Sequence, residues 1–209
     1  AYPTIDYQFK AGDAIYEDIN HDGNIDHQDV VYLGNANPIL TGGFGPSIRY
    51  GNISLSAFFN FRYGNKVINK MAMSLQNMSS YNNQSKAVLR RWRHPYEDES
   101  TAPKDLLPRA VYGSQNAYNY LGSDRFVEDG SFLRFKTLTL RYSFDKKQLQ
   151  KTFLKTCQVY VTFSNLYVWT NYSGMDPEVA LTGGAFRMGE DNSRIPRSLT
   201  ATLGTSITF

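Results

Sequence analysis

Between Asp18 and Asp29 the chain reads Asp-Ile-Asn-His-Asp-Gly-Asn-Ile-Asp-His-Gln-Asp, with an oxygen-bearing side chain at almost every second position. Asp18, Asn20 and Asp22 offer side-chain oxygens. Asn24 offers its main-chain carbonyl, Asp26 a carboxylate acting directly or through water, and Asp29 closes the set. Calcium takes roughly six to eight hard oxygens, and the EF-hand loop supplies them at this spacing, with glycine at the sharp turn where Gly23 stands. Ile25 occupies the slot where such loops anchor to a neighbour. The departure is Asp29 in place of a bidentate glutamate, a shorter arm that weakens binding or favours a smaller ion. No flanking helices are evident. The plainer alternative is an Asp/Asn-rich turn that caps itself by side-chain to backbone hydrogen bonds. The expectation is a structural calcium ion held by Asp18, Asn20, Asp22, Asn24, Asp26 and Asp29.

The remaining reactive residues offer less. Arg90, Arg91, Arg93 and His94 surround Trp92, but Glu97, Asp98 and Glu99 follow at once and would repel phosphate, so a solvated loop helix over Gln84 to Arg93 outweighs a nucleic-acid patch. Tyr81, Trp92, Tyr96, Tyr112, Tyr118 and Tyr120 have flat rings that match the apolar faces of sugars, and the sequence does not rank them. His21, His27 and His94 show no arrangement with a nucleophile, and Cys157 has no evident base. Asp6, Glu17 and the other carboxylates form no pair of readable separation, which leaves glycoside hydrolysis unsupported. No enzyme activity is expected.

These residues sit among strands. The stretch 198–209 alternates strictly: Leu199, Ala201, Leu203, Ile207 and Phe209 share one parity, while Thr200, Thr202, Gly204, Ser206 and Thr208 share the other. Stretches 43–50 and 53–63 flank Gly51-Asn52 as a tight hairpin. In the second of these, Ile53, Leu55, Ala57, Phe59, Phe61 and Tyr63 oppose Ser54, Ser56, Phe58, Asn60 and Arg62. Strands at 131–144 and 157–170 are joined by a short basic connection, 145–156, with room for a helical turn. The connections 64–130 and 171–197 are long. On unbroken alternation Arg134 and Lys136 fall on the apolar side with Leu138 and Leu140, where Lys136 would snorkel to an interface; a bulge is the alternative.

Composition favours strands: 15 Tyr, 13 Phe and 2 Trp among 209 residues, 41% hydrophobic, with a mean hydropathy of -0.45. No apolar run approaches the roughly 20 residues of a membrane helix. A net charge of +3 says little about acidic partners. With neither an initiator Met nor a signal-like stretch, Ala1 reads as an internal start point and the chain as a C-terminal piece. Strands with one oily and one small polar face suit a transmembrane barrel, in which short periplasmic turns alternate with long outer loops. Tyr50, Tyr142, Phe144 and Phe209 then form one aromatic girdle, and Phe44, Phe61, Tyr63, Tyr167 and Trp169 the other. The lumen is lined by residues such as Ser54, Ser56, Asn60, Arg62, Thr162, Thr200 and Thr202. Five strands cannot close a barrel, so others must complete it. A secreted, calcium-stabilised β-sandwich that binds glycan is the competing class.

The blocks GDAIYEDINHDGNIDHQD, RWRHPYEDES with LPRA, SDRFVEDGSFLRFKTLTLRYSF, YVTFSNLYVWTNYSGMDPEV and ATLGTSITF, in this order, resemble the C-terminal region of SusC/RagA-type TonB-dependent outer-membrane transporters. The resemblance runs from about Gly12 to Phe209. It implies an all-β fold: the last five strands of a 22-stranded transmembrane antiparallel barrel, with an extracellular segment 1–42 carrying the calcium loop, strands within 43–209, and extracellular loops 64–130 and 171–197. It also implies a Gram-negative outer membrane and import of oligosaccharides or peptides with a SusD-like surface lipoprotein. The plug and the TonB contact would lie in the missing N-terminal remainder. Phe209 matches the terminal aromatic that serves as a barrel-assembly signal. Outer-membrane lipid is an implied partner and nucleic acid is not.

Overall fold

The computed structural model describes residues 9–93, 106–113, 118–178 and 188–209. In chain order the strands are β1 (Leu40–Phe44), β2 (Ser47–Tyr50), β3 (Ile53–Tyr63), β4 (Lys66–Asn69), β5 (Val127–Asp129), β6 (Phe132–Ser143), β7 (Thr156–Thr170), β8 (Glu190–Asp191) and β9 (Thr200–Thr208). Two short helices, α1 (Lys70–Leu75) and α2 (Lys146–Leu149), interrupt them. None of the described helices is long and apolar enough to cross a membrane, which does not bear on crossing by strands. The chain divides into two compact units, residues 1–34 with 68–128 and residues 35–67 with 129–209.

The second unit holds the main sheet, an antiparallel meander in the order β1-β3-β6-β7-β9, with β2 also on β3. β1 and β2 are one strand broken at Gly45-Pro46, since proline has no N–H to give a ladder; the Pro46 carbonyl still accepts from Ala57 N at 2.9 Å. Tyr50 pairs with Ile53 across a two-residue turn, where Gly51 takes φ +56°, a backbone conformation glycine adopts without strain. The β6–β7 connection is also short. Its α2 turn starts at Asp145, whose amide donates to Gln148 Oε1 at 2.8 Å in a capping box.

Register sorts the side chains into two faces. Leu55, Leu140, Val161 and Leu203 follow one another across β3, β6, β7 and β9, as do Ala57, Leu138, Phe163 and Ala201. The other face carries Ser56, Thr139, Thr162 and Thr202, with a Thr139–Thr162 hydroxyl contact of 2.9 Å. Leu203 is 76% and Leu140 46% exposed, and Phe59 is half-buried. A sandwich would seal these three in a dry interior. Among the described residues of this unit the sheet is instead a single layer with no second sheet against its oily side, and the sandwich alternative fails on that point.

Rows of aromatics lie along the oily side. Phe44, Phe59 and Phe135 stack in sequence at 5.0 and 4.5 Å, and Tyr167, in register with Phe135, meets Trp169 edge-on at 4.9 Å. At the opposite ends lie Tyr50, Tyr142 against Phe144 at 4.9 Å, and Phe209 stacked on Phe153 at 5.6 Å. From Ile53 to Tyr63 a strand rising about 3.4 Å per residue and tilted about 40° covers ~26 Å, the height of a membrane barrel's apolar band.

Lys136 is where unbroken alternation fails. Phe58 pairs with Thr137 but Phe59 pairs with Phe135, so Lys136 is an extra residue on β6. The β6–β7 register also shifts there, with Asn165 at φ +57°. The bulge returns Phe135 and Leu133 to the oily face and turns Arg134 to the polar one, opposite Asn60. The expectation that Arg134 shares the face of Leu138 is therefore wrong, and Lys136 lies outside the alternation.

The first unit has its own core of Met78, Val88, Tyr120 and Phe126, packed by Met73 and Leu107. The segment expected to be helical before Trp92 forms a 3-10 turn, Lys86–Arg90.

Candidate functional site

The loop 18–29 belongs to the first unit, and its shape follows from its own short side chains. Asp18 accepts from Asp22 N at 3.3 Å and Gly23 N at 2.8 Å. Asn20 Oδ1 accepts from Asp22 N at 3.0 Å, and Asp22 Oδ1 from Asn24 N at 2.8 Å. The Asn20 and Asp22 bonds are Asx turns, in which the amide or carboxylate stands in for a backbone carbonyl, and Asp18 reaches further, to the amides four and five residues on. Gly23 makes the reversal at φ +86°. The far end closes through a capping box on the 3-10 turn His27–Asp29: Asp26 Oδ1 takes Gln28 N at 2.7 Å, and Asp29 Oδ2 takes Asp26 N at 2.7 Å. Asp29 Oδ1 also takes Ile19 N at 2.9 Å, which ties the two ends together. The amide of Asp26 holds the Asp29 carboxyl below its ordinary range; desolvation opposes it, and the Ile19 and Asn20 amides add to the lowering.

All six expected oxygen donors thus lie on one wound loop. By type and order they suit a hard cation. The carboxylates of Asp18, Asp22, Asp26 and Asp29 are committed to the loop's own amides, and among the described residues no three His, Cys, Asp or Glu side chains are gathered into a metal-sized group. Ile19 and Ile25 enter the wall of a cavity of about 450 Å³ shared with Ile15, Val31, Met73 and Phe126. Nearby, Arg109 grips Asp13 through Nε at 2.6 Å and Nη2 at 3.2 Å, and Asn119 Nδ2 donates to the same carboxylate at 3.0 Å. Asn119 Oδ1 in turn accepts from Ala14 N at 2.8 Å.

The polar face of the sheet holds a second cluster, one that sequence reasoning missed. Arg134 and Asp176 are 3% and 2% exposed, with Nη2 donating to Asp176 Oδ1 at 2.5 Å. Arg134 Nε lies 3.1 Å from Glu178 Oε2, close enough for ionic attraction though not aligned as a hydrogen bond. Glu178 Oε2 also lies 3.4 Å from Arg197 Nε. Beside it, Phe132 is buried under the Arg134 guanidinium, 5.7 Å from ring centroid to Cζ. The available signal was a cation on the oily parity of a strand, which demands a break in register.

The other expected residues are dispersed. Ser54, Ser56, Asn60, Arg62, Thr162, Thr200 and Thr202 do share the polar face. Tyr118 and Tyr120 are buried, whereas Tyr81 and Tyr112 are exposed and adjacent. His21 and His27 stay with the loop 18–29, and Cys157 faces Ile207 across the β7–β9 ladder. Asp6, His94, Tyr96, Glu97, Asp98 and Glu99 fall outside the described residues.

No protein-family model matches the chain. TonB-dependent receptor P26 of Formosa agariphila is 32% identical over 203 residues, 95% of this chain and 20% of that protein. The TonB-dependent receptor SusC of Bacteroides thetaiotaomicron is 28% identical over 202 residues, 93% of this chain and 17% of that one. Among solved structures, the RagAB peptide transporter aligns with a TM-score of 0.66 at 24% identity, covering 83% of this chain and 17% of its own. The RagAB peptide importer in its closed-closed state aligns with a TM-score of 0.69 at 22% identity, covering 90% and 20%. These structural likenesses establish the fold, that of a piece of an antiparallel β-barrel. Sequence and fold together place this stretch among the SusC/RagA-type TonB-dependent receptors, of whose length it spans about one fifth.

Proposed function

We propose that the chain forms part of the wall and outer surface of an outer-membrane importer. This importer would move oligosaccharides or peptides together with a SusD-like surface lipoprotein, with energy from the TonB complex acting on the remainder of the polypeptide. One observation carries the reading: an oily sheet face that carries rows of aromatics, on strands long enough to cross a bilayer's apolar core, behind a face of Thr, Ser and Asn. Water would not tolerate so large an apolar surface, whereas lipid requires it. The two edge strands, β1 and β9, call for further strands, because hydrocarbon cannot satisfy bare backbone groups. On this reading the turns at 51–52 and 144–155 face the periplasm, the segments 1–42, 64–130 and 171–197 lie outside, and Phe209 is the assembly signal. The role is transport, not turnover. Fractionating cells that express the full receptor tests it: the receptor should stay in the outer membrane through a urea wash and need detergent for release. Recovery in the soluble fraction would refute it.

The loop 18–29 adds a calcium site to this proposal. Asp18, Asn20, Asp22, Asn24, Asp26 and Asp29 would hold the ion, which supplies a fixed double charge that keeps the outer segment in one shape. The donor set supports this by type and order. Calorimetric titration of the receptor should show calcium uptake that Asp18→Ala abolishes; no uptake would remove the site.

A further inference from the structure

We infer that Tyr81 and Tyr112 form a surface site for the pyranose rings of an uncharged oligosaccharide, an inference that rests on the importer reading and names a ligand for one of its outer segments. The two rings are 95% and 73% exposed, with centroids 5.7 Å apart and planes tilted by 51°. Their backbones are braced. Gly113 N donates to Ser79 O at 3.0 Å, Ser79 N to Asn77 Oδ1 at 3.1 Å, and Gln84 Nε2 to Asn77 O at 3.3 Å. Other aromatics of the same unit, Tyr118, Tyr120 and Phe126, are buried. Tyr32 is comparably exposed but has no ring partner among the described residues. The pair is thus an apolar surface held ready at low entropic cost, since each ring restrains the other.

The surrounding chemistry selects the ligand class. The stretches 76–85 (QNMSSYNNQS) and 110–113 (AVYG) contain no charged side chain of their own; of the cations at their borders, Arg109 is held by Asp13 and Arg125 reaches Gln76, so uncharged amides are the groups that stand beside the two rings. Aromatic faces suit the C–H faces of pyranoses. The exposed amides of Asn82 and Asn83 can both donate to and accept from sugar hydroxyls.

The test uses the full receptor in detergent, titrated calorimetrically with maltoheptaose, cellohexaose and laminarihexaose. At least one should bind. Tyr81→Ala and Tyr112→Ala should each weaken binding about tenfold with unchanged thermal melting, and Tyr81→Phe should stay within about threefold, because stacking needs the ring and not the hydroxyl. Binding of none of the three overturns the inference, as does equal affinity in both alanine variants. An acetylated, amidated Gly-Ser hexapeptide that depends on both tyrosines as strongly would also overturn it. Outer-membrane fractionation is scored separately: a membrane-resident receptor whose sugar affinity ignores both tyrosines loses this site and keeps the importer reading.

Discussion

Replacing Arg134 by alanine should release the segment 171–178 from the polar face while leaving the strands beneath it intact. The Arg134 and Asp176 side chains retain only 4% and 3% exposure. Removing one member of so buried a pair costs roughly 3–5 kcal/mol, because the remaining charge stays desolvated without a partner. Two contacts temper this. Asp176 Oδ1 keeps the amide of Glu178 at 2.9 Å, and Glu178 keeps Arg197, which is half exposed. The lower end, about 3 kcal/mol, therefore applies, and it shifts the opening equilibrium of the segment by about a hundredfold.

Hydrogen exchange on the full receptor in detergent reads this directly. The amide of Tyr172, now bonded to Thr170 Oγ1 at 3.1 Å, and that of Glu178 should exchange about a hundredfold faster in Arg134→Ala. Amides of β6 and β7, laddered on both sides, should not change. Arg134→Met combined with Asp176→Leu should recover most of the protection, since an apolar pair leaves no orphaned charge. Acceleration below about threefold at 171–178, or equal acceleration in β6 and β7, would refute the reasoning.

Two further outcomes follow. Leu203→Arg, on the oily face, should cost about 2–4 kcal/mol of receptor stability in vesicles, whereas Thr202→Arg, one residue away on the polar face, should cost under about 1 kcal/mol, both measured by urea titration; equal costs would contradict the assignment of faces. Because Asp29 binds its proton less tightly when folded, its contribution to the loop is complete above the ordinary aspartate range and is lost as pH falls below about 4. Amide signals of Ile19 and Asp26 should therefore move with acid in that window, and Asp29→Asn should abolish the transition.

How much of this was legible in the sequence depended on the range of the interaction. The strands of the main sheet and most of their faces were, because a period of two is a local property and both Leu203 and Leu55 announce it; β4, β5 and β8, two to four residues each and inside the stretches 64–130 and 171–197 read as loops, were too short to show a period. The loop 18–29 was legible for the same reason: its hydrogen bonds span five residues or fewer, apart from the Asp29 to Ile19 closure. The Arg134 cluster was not, since Asp176 is 42 residues away and nothing in the string places it over β6. Nor could the string choose among the outer aromatics, because burial of Tyr120 and exposure of Tyr81 depend on how Met78, Val88 and Phe126 meet.

The bulge at Lys136 joins the two kinds of information. Read locally, Arg134 and Lys136 are two cations on the oily side of a membrane strand, an arrangement costing several kcal/mol if either remained at mid-depth. Adding one residue to β6 cancels that cost for both. Lys136 leaves the ladder, Arg134 rotates to the wet face, and Phe135 takes its place in the aromatic row between Phe59 and Tyr167. The rotation also delivers the guanidinium to Asp176 and Glu178. A cation that violates the pattern of its strand is thus better read as the mark of a register break and of a buried acidic partner than as a residue snorkelling to the surface.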